Sequence, residues 1–153
     1  MVTITHGITD DNLHELYSHP SIQKISHDHR GANPIIHPMV SYYSAFKGAE
    51  FMGAYMVIRL SPIDYEAHML LLPKATKLQR EFGYMFLESM FEQTDRVSTI
   101  IIDGMETAKN HVTKMGFKLE GIKREAFQQN GIKKDAYMYG LLKSEFKERK
   151  WEA

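Results

Sequence analysis

The sequence predicts a single α/β domain over residues 1–153, with a mixed, mostly antiparallel sheet of about six or seven strands flanked by helices. Three observations support this fold class. Strand-like and helix-like segments alternate along the chain, three consecutive strand-like runs occupy its middle, and Asn130-Gly131 is a strong β-hairpin signal. No repeat, linker or low-complexity tract divides the chain, which favours one core.

The first third of the chain predicts a strand, a broken helical hairpin and a loop. Residues 2–5 are mostly β-branched and predict a strand, and Thr9 can cap a helix that carries acidic residues in its first turn. The His19-Pro20 step interrupts that helix, so we expect a second short helix over 20–25. Residues 27–38 lack apolar periodicity and predict a loop.

The remaining elements are predicted from periodicity and turn residues. Aromatic and β-branched runs predict a hairpin and a third strand, and apolar steps of three and four then predict a long helix. A continuous apolar finish predicts a buried strand reached by a helical crossover, and Gly116 can end the next helix. The predicted strands are 40–46, 50–60, 65–72, 97–102, 117–128 and 133–142. The predicted helices are 73–93 and 106–115. Residues 143–153 form a charged tail that is expected to be dispensable to the core.

Composition narrows the function classes. Lys plus Arg and Asp plus Glu both number 19, so the protein has no overall positive electrostatic field that would attract nucleic acid. Nucleic acid is therefore not expected as a partner. The chain contains no cysteine, which excludes thiolate nucleophiles and cysteine-ligated zinc. The longest charge-free apolar stretch, 51–58, is too short for a membrane span, and the N-terminus lacks a signal pattern. We therefore expect a cytoplasmic protein.

A C-terminal motif carries a resemblance to a known family. Residues 114–124 read KMGFKLEGIKR and are followed by Asn130-Gly131, Asp135 and the sequence YGLL at 139–142. This pattern resembles the tail of ribosomal-protein-alanine N-acetyltransferases in the GNAT (general N-acetyltransferase) superfamily, and the predicted element order is that of the GNAT fold. The chain also looks like short acetyltransferase-like proteins of tailed phages.

The resemblance implies an N-acetyltransferase that uses acetyl-CoA as co-substrate. The acceptor would be an amine-bearing small molecule or a protein N-terminus, and a homodimer is one option for the assembly. In the family, acyl-CoA docks at a splayed strand, here 65–72, and at a glycine-containing loop whose amides hold the pyrophosphate. The implied cofactor-binding residues are Leu71, Leu72, Lys74, Lys77, Leu78, Gln79, Arg80 and Gly83.

The acyl-CoA loop departs from the family pattern. Residues 73–79, directly after the splayed strand, contain no glycine. A second register over 80–85 keeps Arg80 and Gly83 but shortens the following helix, so the first register is preferred. Lys74, Lys77 and Arg80 could offset phosphate charge in either register, or form a basic solvated surface.

Glu66 and His68 are the candidate catalytic residues. They alternate onto one side of the predicted central strand, just before the splay, where a base could take the ammonium proton of an acceptor. The structural alternative is a buried histidine with its carboxylate partner. Val112 and Met105 stand where the family often has tyrosine and asparagine, which keeps a catalytically degenerate binding or assembly module open as the alternative.

Two other clusters are assigned no function. His27, Asp28, His29 and His37 include metal-ligating residue types, but two close loop histidines are usually solvated, so no metal site is predicted. The methionines, with Tyr42, Tyr43 and Tyr55, are assigned to the core rather than to a binding pocket.

Overall fold

The computed structural model describes residues 1–25 and 33–148. Its described strands form one sheet in the order β1-β2-β3-β4-β5-β7-β6. Only the β4–β5 pair is parallel in this sheet, and the other neighbouring strands are antiparallel. The strands are β1 (Val2–His6), β2 (Val40–Lys47), β3 (Glu50–Ser61), β4 (Asp64–Leu71), β5 (Arg96–Ile102), β6 (Lys118–Gln129) and β7 (Ile132–Leu142). The predicted mixed, mostly antiparallel sheet is confirmed.

The helices cover both faces of the sheet. One core packs α3, α4 and α5 against the sheet, and a second core packs α1 and α2 against the opposite face. We call these the α3/α4 face and the α1/α2 face. The described helices are α1 (Asp10–Ser18), α2 (Pro20–Lys24), a 3-10 helix (Pro73–Leu78), α3 (Gln79–Phe91), α4 (Glu106–Lys114) and α5 (Lys143–Glu148).

The predicted long helix over 73–93 is only partly correct. The chain leaves β4 through a 3-10 helix, and the α-helix begins at Gln79. Pro73 starts the 3-10 helix, and the Thr76 hydroxyl donates a 2.7 Å hydrogen bond back to the Pro73 carbonyl. Local side-chain bonds of this kind compete with regular α-helical bonding, which accounts for the tighter first turns. Most of the predicted loop over 27–38 lies outside the described residues.

An ion-pair cluster, the Arg96 clamp, ties three strands together. Arg96 at the start of β5 donates to both carboxylate oxygens of Glu120 on β6, and its Nε lies 3.5 Å from Asp64 on β4. Ser98 Oγ donates a 2.9 Å hydrogen bond to the same Asp64 carboxylate. The Glu120 carboxylate lies over Gly140, where a Cβ atom would come within 2.6 Å of it. The bidentate contact with Arg96 lowers the pKa of Glu120.

The C-terminal segment corrects one prediction. Residues 143–148 form α5 rather than a dispensable tail, and Phe146 is buried in the α3/α4 core. Its ring centroid lies 5.1 Å from that of Phe91 and 5.5 Å from that of Tyr84. The single apolar residue among charged neighbours was too weak a periodic signal to predict this docking. Trp151 lies outside the described residues.

Replacing Phe146 should destabilise the whole protein. Phe146→Ala removes a buried ring from an aromatic cluster, so we expect the free energy of unfolding to fall by about 3 kcal/mol in urea titrations. Lys147→Ala, at the exposed neighbouring position, is the matched control and should change it by less than about 0.5 kcal/mol. Equal stability of the two variants would mean that α5 is dispensable after all.

Candidate functional site

The sheet opens between β4 and β5. Hydrogen-bonded pairing between these strands covers only residues 64–66 with 96–98. Beyond that point β4 continues to pair with β3 as far as Leu71, while β5 pairs only with β7. Each strand therefore presents an unpaired backbone edge to the other. The sheet has the splay that the sequence resemblance implied.

A cavity of about 230 Å³ passes through this opening. Glu66, His68 and Leu70 reach it from the α1/α2 face, whereas Thr99 and His111 lie on its α3/α4 side. Because successive β-strand residues point to opposite faces, a cavity lined by both sets must cross the sheet. A ligand lying in the gap could therefore meet a second ligand arriving from the other face.

The two candidate catalytic residues meet at the edge of this cavity. His68 Nε2 lies 2.8 Å from Glu66 Oε2, and the two side chains are 26% and 15% exposed. They are two residues apart on β4, which places both on the α1/α2 face. The predicted juxtaposition is present, and their catalytic role stays a prediction.

The pair fixes the proton arrangement on the imidazole. An ionised carboxylate only accepts hydrogen bonds, so the proton of a neutral His68 sits on Nε2 and donates to Glu66. Nδ1 then carries the lone pair. Within the described part of the chain, no group hydrogen-bonds to Nδ1. The arrangement can accept a proton at Nδ1 while Glu66 stabilises the resulting imidazolium.

Helix α4 supplies the opposite wall of the cavity. His111 is partly buried there, and burial, with a smaller contribution from the positive charge of Lys114, lowers its pKa to about 4. Val112, at the position where the family often has tyrosine, packs against the core and also lines the cavity. Met105 precedes α4 and makes no side-chain capping bond. The neutral His111 imidazole is thus the titratable group that α4 contributes to this wall.

A smaller cavity of about 60 Å³ adjoins the first on the α3/α4 face. The two cavities share Met69, Thr99, His111 and Val112 as lining residues. Tyr55 lines the smaller one, stacked at 4.1 Å on Phe86, and its buried hydroxyl has no hydrogen-bond partner in the described structure. Burial raises the pKa of Tyr55. Most methionines and tyrosines assigned to the core are buried there, but Met69 and Tyr55 also border cavities.

The implied cofactor residues are spread along the exit from β4. The Leu72 side chain is buried, and its N–H donates a 2.9 Å hydrogen bond to the Met52 carbonyl, so this amide is already occupied. Lys74 Nζ lies 3.0 Å from the Glu50 carboxylate. Lys77 and Arg80 are exposed and have no ion-pair partner among the described side chains. Leu71, Leu78 and Gln79 are half-buried between these positions.

Gly83 has a packing explanation. It lies buried in the second turn of α3, where an added Cβ would lie 3.2 Å from the Met115 side chain and 3.4 Å from His111 Nε2. The absence of a side chain therefore lets α4 approach α3 closely. The register of the loop and a role for Gly83 in cofactor binding both stay predictions.

Several cavity-lining residues are not among the candidate site residues predicted from the sequence. The ones with polar side chains are Tyr17, Thr99 and His111. Tyr17 Oη lies 3.1 Å from Tyr42 Oη, which holds the phenol at the cavity wall. The position of His111 directly before Val112 was the signal that could have identified it.

The described residues offer no metal site. Over 1–25 and 33–148, no group of three or more His, Asp or Glu side chains is arranged to hold a metal ion. His37 Nδ1 accepts a 3.1 Å hydrogen bond from the Met39 amide, while His27, Asp28 and His29 lie outside the described residues. In the same two ranges, no helix has the length and apolar character to cross a membrane.

Buried His111 should make stability depend on pH. Its pKa of about 4 lies below the ordinary value of 6.5, so between these values the unfolded chain binds a proton that the folded chain does not. Stability should therefore fall by up to about 3 kcal/mol as the pH drops through this window. In His111→Gln this loss should be absent from urea titrations at pH 4.5 and 7. The exposed control His14→Gln should retain the loss of stability at low pH. The same pH dependence of the free energy of unfolding in the unmodified protein and both variants would contradict the assignment to His111.

Comparison with known proteins identifies the fold. No family model matches the sequence, and no curated protein has a significant sequence match to it. Spermidine N-acetyltransferase from Vibrio cholerae, solved with CoA and spermine, superposes with a TM-score of 0.79 at 14% identity, covering 95% of this chain and 97% of that one. A probable acetyltransferase of the GNAT family from Chromobacterium violaceum gives 0.67 at 17% identity, covering 72% and 63%. Mycobacterium smegmatis RimJ, solved with CoA-disulfide, gives 0.64 at 15%, covering 71% and 56%. The chain has the GNAT fold.

Proposed function

We propose that this chain is an acyl-CoA-dependent N-acetyltransferase. The observation that carries the proposal is the cavity through the β4–β5 opening, with the Glu66–His68 pair at its edge. Such an opening lets a thioester lie between the strands while an amine approaches from the α1/α2 face. One structural neighbour was solved with CoA and another with CoA-disulfide, which supports a CoA-type donor for this chain.

The unpaired edge of β4 is suited to the donor. An extended ligand that carries amide groups can add to an exposed strand edge through main-chain hydrogen bonds, as the pantetheine arm of acetyl-CoA would. The edge begins after Glu66 and ends at Leu71, where the chain turns into the 3-10 helix and α3. Lys77 and Arg80, at this turn, would face the pyrophosphate. Lys74 is the weaker candidate because Glu50 already neutralises it.

The residues present can support direct transfer. The acceptor ammonium loses one proton to His68 Nδ1, and the amine nitrogen then attacks the thioester carbon to form the C–N bond. The tetrahedral intermediate loses its second proton and the C–S bond breaks, which leaves the amide and the CoA thiolate. The thiolate takes up a proton, so one proton is released overall. Glu66 orients His68 and stabilises its positive charge.

A catalytically degenerate binding or assembly module is the second candidate. It is favoured by Val112 in place of tyrosine, by Met105 and by the loop without glycine at 73–79. Under this alternative Glu66 and His68 form a structural pair. A module of this kind would be indifferent to CoA and would present a partner-binding face.

We also propose finer features that rest on the sequence resemblance. The C-terminal motif at 114–124 favours a protein N-terminus as one acceptor and a relationship to ribosomal-protein-alanine acetyltransferases or to tailed-phage proteins. A homodimer is one option for the assembly, and the cytoplasm is the proposed location. Sedimentation analysis of the purified chain would decide between monomer and dimer.

Calorimetry tests donor binding. Acetyl-CoA titrated into the purified protein at modest ionic strength should give saturable heat, with desulfo-CoA as the comparison ligand. Lys77→Glu should weaken binding by about tenfold because it reverses a charge expected near the pyrophosphate. Gln79→Trp should also weaken it by crowding the same turn. Lys133→Glu, at an exposed position on β7, is the charge-matched control. No saturable binding to the unmodified protein would refute the donor assignment and favour the module.

Kinetics test the Glu66–His68 pair. His68→Gln should lower kcat/KM by about 10²–10³-fold, because the base is lost. Glu66→Gln should lower kcat/KM less, since His68 keeps its ring but loses the carboxylate that orients it. The exposed Glu92→Gln is the control for charge removal alone. If kcat/KM were unchanged in both His68→Gln and Glu66→Gln, the pair would have a structural role and no catalytic one.

A further inference from the structure

The α1/α2 side of the cavity is almost entirely apolar. Helix α1 contributes one aromatic ring, the end of α2 contributes two isoleucines, and the hairpin strand β6 contributes a second ring. The side chains concerned are Tyr17, Ile22, Ile25, Ile58, Leu70 and Phe127. Gln129 Nε2 donates to the Lys24 carbonyl at 3.3 Å, so β6 and α2 meet to close this side. We call this region the acceptor side.

The acceptor side carries one carboxylate. Among the described residues that line the cavity, Glu66 is the sole acidic side chain, and none is lysine or arginine. Glu66 is already hydrogen-bonded to His68 at the strand. A single ammonium group can therefore be compensated next to the transfer position. Deeper along the acceptor side, the described lining residues include no second carboxylate that could neutralise another positive charge.

We infer that the acceptor is a primary amine with one positive charge, joined to an apolar aliphatic or aromatic group. This inference rests on the proposed acetyltransferase function and deepens it. The ammonium lies against the Glu66–His68 pair, and the apolar group fills the space between α1, α2 and β6. Burying an unpaired ammonium is strongly unfavourable, whereas burying apolar surface is favourable. The same lining therefore disfavours polyamines.

Two sources could supply this chemistry. One is a free alkylamine or arylalkylamine, and the other is a peptide whose N-terminal residue is apolar. Both present one ammonium group beside an apolar group. They differ beyond that apolar group, because a peptide continues past the mouth of the cavity and a free amine does not. An amine panel that includes both kinds distinguishes them.

The first experiment measures acceptor selectivity in the purified protein. Thiol release from acetyl-CoA is monitored with hexylamine, phenethylamine, a Met-Ala-Ser peptide and spermidine as acceptors. The chain has no cysteine, so the protein contributes no thiol signal. We expect kcat/KM for the better of the apolar amines or peptide to exceed that for spermidine at least tenfold. A spermidine value equal to or above the others would overturn the inference.

A substitution on the acceptor side tests the physical cause. Ile25 is partly buried at the end of α2, outside the Glu66–His68 pair. Ile25→Glu adds a second carboxylate and Ile25→Gln is its uncharged match. We expect the selectivity ratio to shift toward spermidine by about tenfold in Ile25→Glu relative to Ile25→Gln. Equal ratios in the two variants would overturn the charge argument.

The outcomes separate this inference from the function beneath it. Calorimetry with acetyl-CoA is run on the same protein samples. Absence of both donor binding and thiol release would refute the acetyltransferase function, and the inference with it. Donor binding without turnover of any apolar amine or peptide would overturn the inference alone.

Discussion

The short parallel pairing between β4 and β5 is the constraint on which the site depends. Three residue pairs join the strands at one end, and the remainder of both edges stays open. The Arg96 clamp lies at this joined end and fastens β4, β5 and β6 through Asp64 and Glu120. The opening therefore begins next to a polar cluster that fixes the paired end of the strands. Helices α3 and α4 cover it on one side, and α1 and α2 cover it on the other. The cavity results from this arrangement of backbone more than from any single side chain.

Much of the fold could be predicted from the sequence because its signals are local. The Thr9 cap, the His19-Pro20 break, the Asn130-Gly131 turn and the apolar run before Asp103 each specify a nearby backbone conformation. Element order then limits the topology. The two departures arise where tertiary packing decides: a lone Phe146 docks α5 onto Phe91, and Pro73 with Thr76 tightens the start of the long helix.

The candidate site was predictable only along one strand. Glu66 and His68 were identified because a two-residue spacing on a strand places side chains on one face. Tyr17, Thr99 and His111 come from three other elements. The local sequence of Tyr17 and Thr99 gives no sign that they share a cavity, and His111 is marked only by its position next to Val112. Burial, which holds His111 neutral by lowering its pKa, is likewise a property of the packed structure and leaves no local pattern.

The glycine beneath the Arg96 clamp illustrates a form of epistasis. A Cβ added at Gly140 would lie 2.6 Å from the Glu120 carboxylate. Gly140 does not have a positive φ, so its backbone conformation does not require glycine. The two positions are therefore mutually dependent. A side chain at 140 would displace the Glu120 carboxylate, which is the far end of a flexible side chain, and would disturb its bidentate contact with Arg96. Substitutions at 140 and at 120 are therefore coupled to each other through Arg96.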